Sequence, residues 1–307
     1  MDTIENQAIA NTGKTKGIVL FGAGFLFAVL WSSASTATKI SLQYAQPFVI
    51  SIVRFFTAGI LMLVITHLLL RNRLPQKKEW LQIAVYGLLN ISIYLGLYIW
   101  ALQYVMPGIA SLAIAANPVF ISIMTVAFFK QRLRLYIVIS LLLCSAGILL
   151  AAYPLLTSHA ASPIGLTILL TSMLSYSAGI IYFSRKNWNN LHMLTINGWQ
   201  TLLGGIFLLP VAAFTYQPSK NNWTRQLFAS TMWLAIPVSI IAIQLWLFLL
   251  KDNAVKASFW LFLCPVFGYL IANTLMNDPI SSYTIAGMVL VITGLYIVQK
   301  KKQAPAS

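Results

Sequence analysis

The chain has 307 residues, 59% of them hydrophobic and only 8% charged, and its mean hydropathy is +0.81. A soluble globular domain carries about a quarter charged residues, so this is the composition of a membrane protein and leaves no room for a soluble catalytic domain. The formal charge of +15 raises nucleic acid as a partner, but the basic residues are confined to short connectors between apolar runs, which reports topology and not a polyanion-binding face.

A helix crosses a hydrocarbon core of ~30 Å with roughly 20 apolar residues. Ten segments suit this length: 17–39, 47–70, 81–104, 107–129, 135–154, 163–184, 193–216, 230–250, 256–275 and 281–299. The first is followed by "SSASTA", a small-residue run that also suits a signal-peptide cleavage site; nine further spans and the charge alternation favour its retention. Asp2 and Glu5 argue against an organelle transit peptide. Basic residues cluster at Lys14 and Lys16, between Arg71 and Lys78, between Lys130 and Arg134, at Arg185 and Lys186, at Lys251 and Lys256, and from Lys300 to Lys302. With alternating spans these are 16 of the 20 bases on one side, while the other side keeps Lys39, Lys220 and Arg225. The positive-inside rule then predicts both termini in the cytoplasm, with tails at 1–16 and 300–307 and a location in the cytoplasmic membrane. Cys144 and Cys264 fall inside spans and are read as inert buried thiols; no spacing suggests a disulfide framework or a metal site.

The fourth and ninth spans share a segment. "ASLAIAANPVF" at 110–120 and "ASFWLFLCPVF" at 257–267 match at five of eleven positions, including Pro118 and Pro265, 147 residues apart. The same offset pairs Gly147 with Gly294, Ser140 with Gly287 and Gln131 with Asp278. The expected architecture is therefore all-α, two five-helix halves over 17–154 and 163–299. Five is odd, so the second half enters the membrane from the opposite side. Inverted halves can exchange conformations around a central site, the geometry of alternating access. Each proline removes an intrahelical hydrogen bond, which makes Pro118 and Pro265 candidate hinges, with an ordinary packing kink as the other reading.

These features resemble the EamA-type drug/metabolite transporter superfamily across essentially all of 17–299. The resemblance rests on the spacing of Pro47, Arg54 and Ala58, on "ALQYVMPGIASLAIAANPVF" at 101–120, and on "DPISSYTIAGMVLVITGLYIV" at 278–298. Such families place an acid just after the proline-containing span; here Gln131 holds that position in the first half and Asp278 keeps it in the second. The resemblance implies export of a small metabolite, such as an amino acid or related amphipathic compound. It also implies a central cavity lined by the first, third, fourth, sixth, eighth and ninth spans.

On those spans the residue patterns nominate a cavity set. Asn90, Tyr94 and Tyr98 share one helical face, as do Trp31, Ser32 and Ser35. Asn117 precedes Pro118, Ser172 and Tyr176 share a face with Gly179, Gln244 lies in the eighth span, and Trp260 precedes Pro265. Aromatic walls with a few fixed hydrogen bonders suit a small amphipathic solute, although the same residue types also build interfacial belts and helix contacts. Arg54 is the clear intramembrane charge: either it recruits an anionic group of the substrate, or it snorkels outward or ties a helix end to backbone carbonyls. The five acids, Asp2, Glu5, Glu79, Asp252 and Asp278, lie in tails, loops or span ends, and His67, His159 and His192 at span ends or in a loop. Facilitated movement or exchange is thus expected over carboxylate-based proton coupling. No nucleophile–base pair, metal motif or phosphate loop argues for an enzyme. No cofactor is expected; the expected partners are a small-molecule substrate and membrane lipid, with the chain a monomer or weak dimer. The alternatives are an importer or exchanger of an anionic metabolite and, from a different class, a non-transporting membrane receptor or scaffold.

Overall fold

The computed structural model describes residues 2–105, 107–130, 133–157, 162–276 and 281–300, and every regular element among them is helical. In chain order these are α1 (Asp2–Leu42), α2 (Pro47–Leu69), α3 (Lys78–Ala101) and α4 in two pieces (Pro107–Ile114, Asn117–Phe129). Next come α5 (Leu135–Thr157), α6 (Pro163–Arg185), α7 (Met193–Thr215), α8 (Arg225–Lys251), α9 (Ala254–Leu275) and α10 (Ser282–Lys300). By length and composition seven can cross a membrane: α1 from Gly17 onward, α2, α3, α6, α7, α8 and α9. Shorter apolar helices cover Asn117–Phe128, Leu135–Ala151 and Ser282–Ile297. Gln131, Arg132, His159, Asp278 and the tail beyond Lys300 lie outside the described residues.

Several boundaries differ from the hydropathy reading, for local reasons. The helix of α1 already begins at Asp2, ahead of the apolar run. In α8 the helix starts at Arg225 and not at 230, because the Thr224 hydroxyl caps it, accepting from the Leu227 amide at 3.2 Å. In α3 it starts at Lys78, where the Glu79 carboxylate takes the Gln76 amide at 2.8 Å. Negative charge in a first helical turn is favourable.

The two prolines mark breaks, but each break precedes its proline. A turn at Ala115 and Ala116 divides α4 ahead of Pro118, and a 3₁₀ turn over Phe259–Phe262 precedes Pro265 in α9. The proline ring lacks an N–H and crowds the carbonyl four residues earlier; the irregular turn follows that carbonyl, of Ile114, in α4 and takes in that carbonyl, of Leu261, in α9. Three π stretches add irregularity: Val64–Leu69 in α2 and Leu88–Ile93 in α3, which hold no proline, and Leu234–Ala242 in α8, which holds Pro237.

Helix α2 packs on α7, α5 on α10, α3 on α6, α1 on α8 and α9, and α4 on α6 and α9. In lipid no hydrophobic force drives apolar helices together, so close backbone approach at small residues carries the packing. Gly147 of α5 sits so close to α10 that a Cβ on it would lie 2.6 Å from the Gly287 carbonyl oxygen, and Gly294 of α10 rests on Cys144 and Ser140. On the α2–α7 seam Gly59 faces Leu202, and Gly205 faces Phe55 and Phe56.

Both ends of the α2–α7 pair are tied by polar clasps. At one end Arg73 forks onto Glu79, at 2.7 and 2.8 Å, and also donates to the Asn189 carbonyl at 2.9 Å. Asn189 returns a bond to Glu79, so the clasp joins the α2–α3 connection to the α6–α7 connection. Bidentate pairing of this kind is what lets Glu79 lie buried. At the opposite end Gln46 takes the amide of Gln217 at 2.7 Å and donates to the Thr215 carbonyl at 2.7 Å, while Asn221 bonds both its side chain and its backbone. His67 belongs to the first end: Nδ1 donates to the Asn72 carbonyl and Nε2 accepts from the Trp199 indole at 3.0 Å.

Candidate functional site

At the middle of the bundle α1, α3, α6 and α8 converge on a run of rings. Phe27 and Trp31, four residues apart on α1, stack with centroids 5.7 Å apart, and Phe27 stacks on Trp246 of α8 at 4.7 Å. Trp246 lies parallel to Tyr176 of α6 at 6.3 Å, Tyr176 meets Tyr94 of α3 at 4.6 Å, and Tyr94 meets Tyr98 at 6.0 Å. All six rings are buried. Their polar tips are poorly served. The Tyr98 hydroxyl has no hydrogen-bond partner, and the Tyr176 hydroxyl approaches the Trp246 indole without forming a proper bond to it. Asn90 also leaves its side-chain oxygen unpaired on α3.

Arg54 enters this region from α2. Its Nε donates to the Ser239 hydroxyl at 2.8 Å, and its guanidinium lies 5.4 Å from the Phe55 ring. Ser239 belongs to the π stretch of α8, where its hydroxyl reaches back to the Leu234 carbonyl at 2.9 Å. The Ser239 carbonyl takes Asn197 of α7 at 3.0 Å, and Asn197 in turn accepts from Gln200 and Thr201. Arg54 is thus the end of a polar chain through three helices. It is 5% exposed, its Nη2 has no partner, and among the described residues no carboxylate pairs with it. Helix α2 packs against the Tyr94–Ala101 stretch of α3, which carries Tyr94 and Tyr98.

The structure therefore brings Trp31, Tyr94, Tyr98, Tyr176 and Arg54 to one place. Other expected residues have different engagements. Ser32 bonds its own helix at Ala28, and Ser35 meets Ser111 of α4 at 3.2 Å. Asn117 ties α4 to α6, accepting from Ser177 at 3.2 Å and donating to the Met173 sulfur. Ser172 bonds the Leu169 carbonyl of its own helix, and Gln244 is spent on the Met193 carbonyl. Trp260 lies flat against Gly24 of α1, where a Cβ would collide with the indole, and its edge meets Phe21 at 5.3 Å. Phe27, Trp246, Ser239, Asn197 and Gln200 are participants that the sequence reading missed. Asn197, Gln200 and Thr201 carried a usable signal, since they form one polar face on an otherwise apolar helix. No cluster of three metal-ligating side chains occurs among the described residues, and Cys144 and Cys264 are buried free thiols.

The model of the EamA-like transporter family matches the chain twice, over residues 15–153 and 163–299. Among curated proteins the chain is 25% identical to the uncharacterized transporter YvbV of Bacillus subtilis, over 90% of both chains. It is 26% identical to protein PecM of Dickeya dadantii (88% of this chain, 89% of PecM). It is 27% identical to the uncharacterized inner membrane transporter YedA of Escherichia coli (92% and 93%). A solved crystal structure with 19% identity superposes with a TM-score of 0.73, covering 92% of this chain and 98% of the other, which speaks to the fold alone. A family match over both halves and nearly the whole chain settles kinship: the protein belongs to the EamA-like transporters of the drug/metabolite transporter superfamily, and is a multi-pass membrane transporter, not an enzyme.

Proposed function

We propose that the protein is a secondary transporter of two inverted five-helix halves, residues 17–154 and 163–299, with cytoplasmic tails at 1–16 and 300–307. It moves a small amphipathic metabolite, an amino acid or a related compound, across the cytoplasmic membrane by alternating access, in the direction of export. The reading of inverted halves draws support from the offset of 147 residues between Pro118 and Pro265. That offset carries the approach of Gly147 to Gly287 onto the approach of Gly294 to Ser140, and both are made. It also carries the π stretch 88–93 into 234–242, and the break at 115–116 onto 262–263, at the end of the 3₁₀ turn in α9. Export is taken from the family resemblance.

The observation that carries the transport reading is the central cluster, where buried hydroxyl, amide and indole groups from both halves lack good partners. Buried polar groups are nearly always paired, and each unpaired one costs about 1–3 kcal/mol. A guest with hydrogen-bonding groups and an apolar body removes that cost, and the rings of Tyr94, Tyr176 and Trp246 supply its walls. The test is exchange of a panel of labelled amino acids in proteoliposomes. The wild type is expected to exchange at least one of them above protein-free vesicles, and Tyr176→Ala to lose that exchange. Exchange unaffected by Tyr176→Ala and Tyr94→Ala would remove the cluster from the pathway, and background exchange across the panel would remove the assignment to amino acids.

A further inference from the structure

We infer that Arg54 and Tyr98 form a subsite for the carboxylate of the substrate, so that the guest is an anion or zwitterion carrying an apolar body. The inference rests on the central cluster being the transport site.

The argument starts from what holds the guanidinium. Arginine keeps its proton at any physiological pH, so a buried Arg54 is a buried cation. Its Nε is fixed by Ser239, which is itself anchored to Leu234 within α8 and through its carbonyl to Asn197 of α7. That chain orients the group but brings no negative charge. Phe55 adds a ring face at 5.4 Å, a weak partner for a full charge. Nη2 is left as a donor without an acceptor, in a residue 5% exposed, with no carboxylate paired to it among the described residues. An arginine that snorkelled would expose its guanidinium, and one that capped a helix end would place its terminal nitrogens on backbone carbonyls; Arg54 is buried and Nη2 reaches no carbonyl.

The second observation is independent of the arginine. The Tyr98 hydroxyl is also buried without a partner, and it belongs to the stretch Tyr94–Ala101 of α3 against which the Arg54 helix α2 packs. Two unpaired donors and a positive charge are complementary to a carboxylate, which carries two acceptor oxygens and one negative charge. The rings of Tyr94, Tyr176 and Trp246 continue away from this pair, so the apolar part of the guest lies along them. A neutral amide offers one acceptor and leaves the guanidinium uncompensated. Removing one member of a buried ion pair typically costs a factor of 10² or more in affinity.

The test uses the purified full chain in detergent and four probes: L-phenylalanine against L-phenylalaninamide, and benzoate against benzamide. Thermal stabilisation as a function of probe concentration reads apparent affinity. The expected result is that at least one carboxylate binds the wild type about 10²-fold more tightly than its amide. Arg54→Gln should erase the preference, Arg54→Lys should retain part of it, and Tyr98→Phe should weaken the carboxylate about tenfold and the amide by less, so that the preference narrows. Tyr98→Phe deletes only a hydroxyl, so it decides the matter even where Arg54→Gln does not fold. The assignment is overturned where no carboxylate outbinds its amide, where the preference survives Arg54→Gln, or where Tyr98→Phe changes nothing. A carboxylate that binds with this pattern but is not exchanged in proteoliposomes would keep the subsite and sink the transport reading.

Discussion

Helices α5 and α10 meet at a backbone-to-backbone approach that leaves no room for a methyl group, and this makes Gly287→Ala a stringent perturbation. The added Cβ would stand 2.3 Å from the Gly147 carbonyl oxygen, 2.8 Å from Ala151 Cβ and 2.9 Å from the Ala151 amide nitrogen. None of these is the flexible end of a side chain, so the helices must separate. Overpacking a tight contact costs about 1–3 kcal/mol, and at roughly 2–4 °C per kcal/mol the melting temperature should fall by about 2–12 °C. Gly22→Ala is the internal control, since a Cβ there meets nothing within 4 Å. At that exposed position alanine is the better helix former, so the control should be neutral or slightly stabilising. Gly147→Ala should behave like Gly287→Ala, and the double variant should cost less than the sum, because the helices need to part only once. Gly294→Ala should be milder, since its nearest neighbour is the Cys144 sulfur, which can rotate away. Thermal unfolding of the four single variants and the double in one detergent reads all of this. Melting of Gly287→Ala within a degree of Gly22→Ala would refute the close approach.

Three further outcomes are expected. A cysteine placed at Gln76, in a background lacking Cys144 and Cys264, should react with an impermeant thiol reagent only after cells are opened, while one at Asn222 should react on intact cells; labelling at 76 from outside would reverse the orientation. Transport should persist when a protonophore collapses the proton gradient, because Glu79 is occupied by Arg73 and His67 by Asn72 and Trp199, and exchange should outrun net flux because an empty carrier must reorient with Arg54 unpaired; a strict requirement for an imposed pH difference would show a coupling group elsewhere. Pro118→Ala and Pro265→Ala should each restore about one backbone hydrogen bond worth ~1 kcal/mol and slow turnover roughly fivefold with little change in affinity; wild-type rates with normal expression would make the two breaks mere packing kinks.

The helices were legible in the sequence because the bilayer imposes its thickness on any span, and the breaks because proline acts through its own ring on the carbonyl four residues back. The matched breaks in α4 and α9 follow from two quoted segments alone. The π stretches were not legible. No residue type encodes a π turn, and "LLNISI" at 88–93 reads as ordinary helix. Helical faces were an equally poor guide. In a soluble helix an apolar stripe marks the core, whereas here the lipid-facing side is apolar too, so Leu142 and Leu149 of α5 are exposed to a membrane that supplies no contrast.

The same loss of contrast explains which residues of the proposed site were legible. Large aromatics on spans that face the centre, Trp31, Tyr94, Tyr98 and Tyr176, could be named because few positions elsewhere reward a buried ring with a polar tip. Small polar residues could not be assigned by type. A serine in an apolar helix has an acceptor of its own one turn back, and Ser172 uses it at Leu169. Gln244 spends its amide on Met193, 51 positions away in the chain. The partner that orients Arg54 is Ser239, separated from it by 185 positions and placed by a π stretch around Pro237, a proline that does not by itself reveal which side chain it turns toward α2. Arg54 is conspicuous as a charge among apolar residues, but what makes it a candidate carboxylate contact is relational. Its Nε is occupied and its Nη2 is not, and only the folded arrangement of α2, α3 and α8 distinguishes a tethered arginine from one with a donor left for a guest.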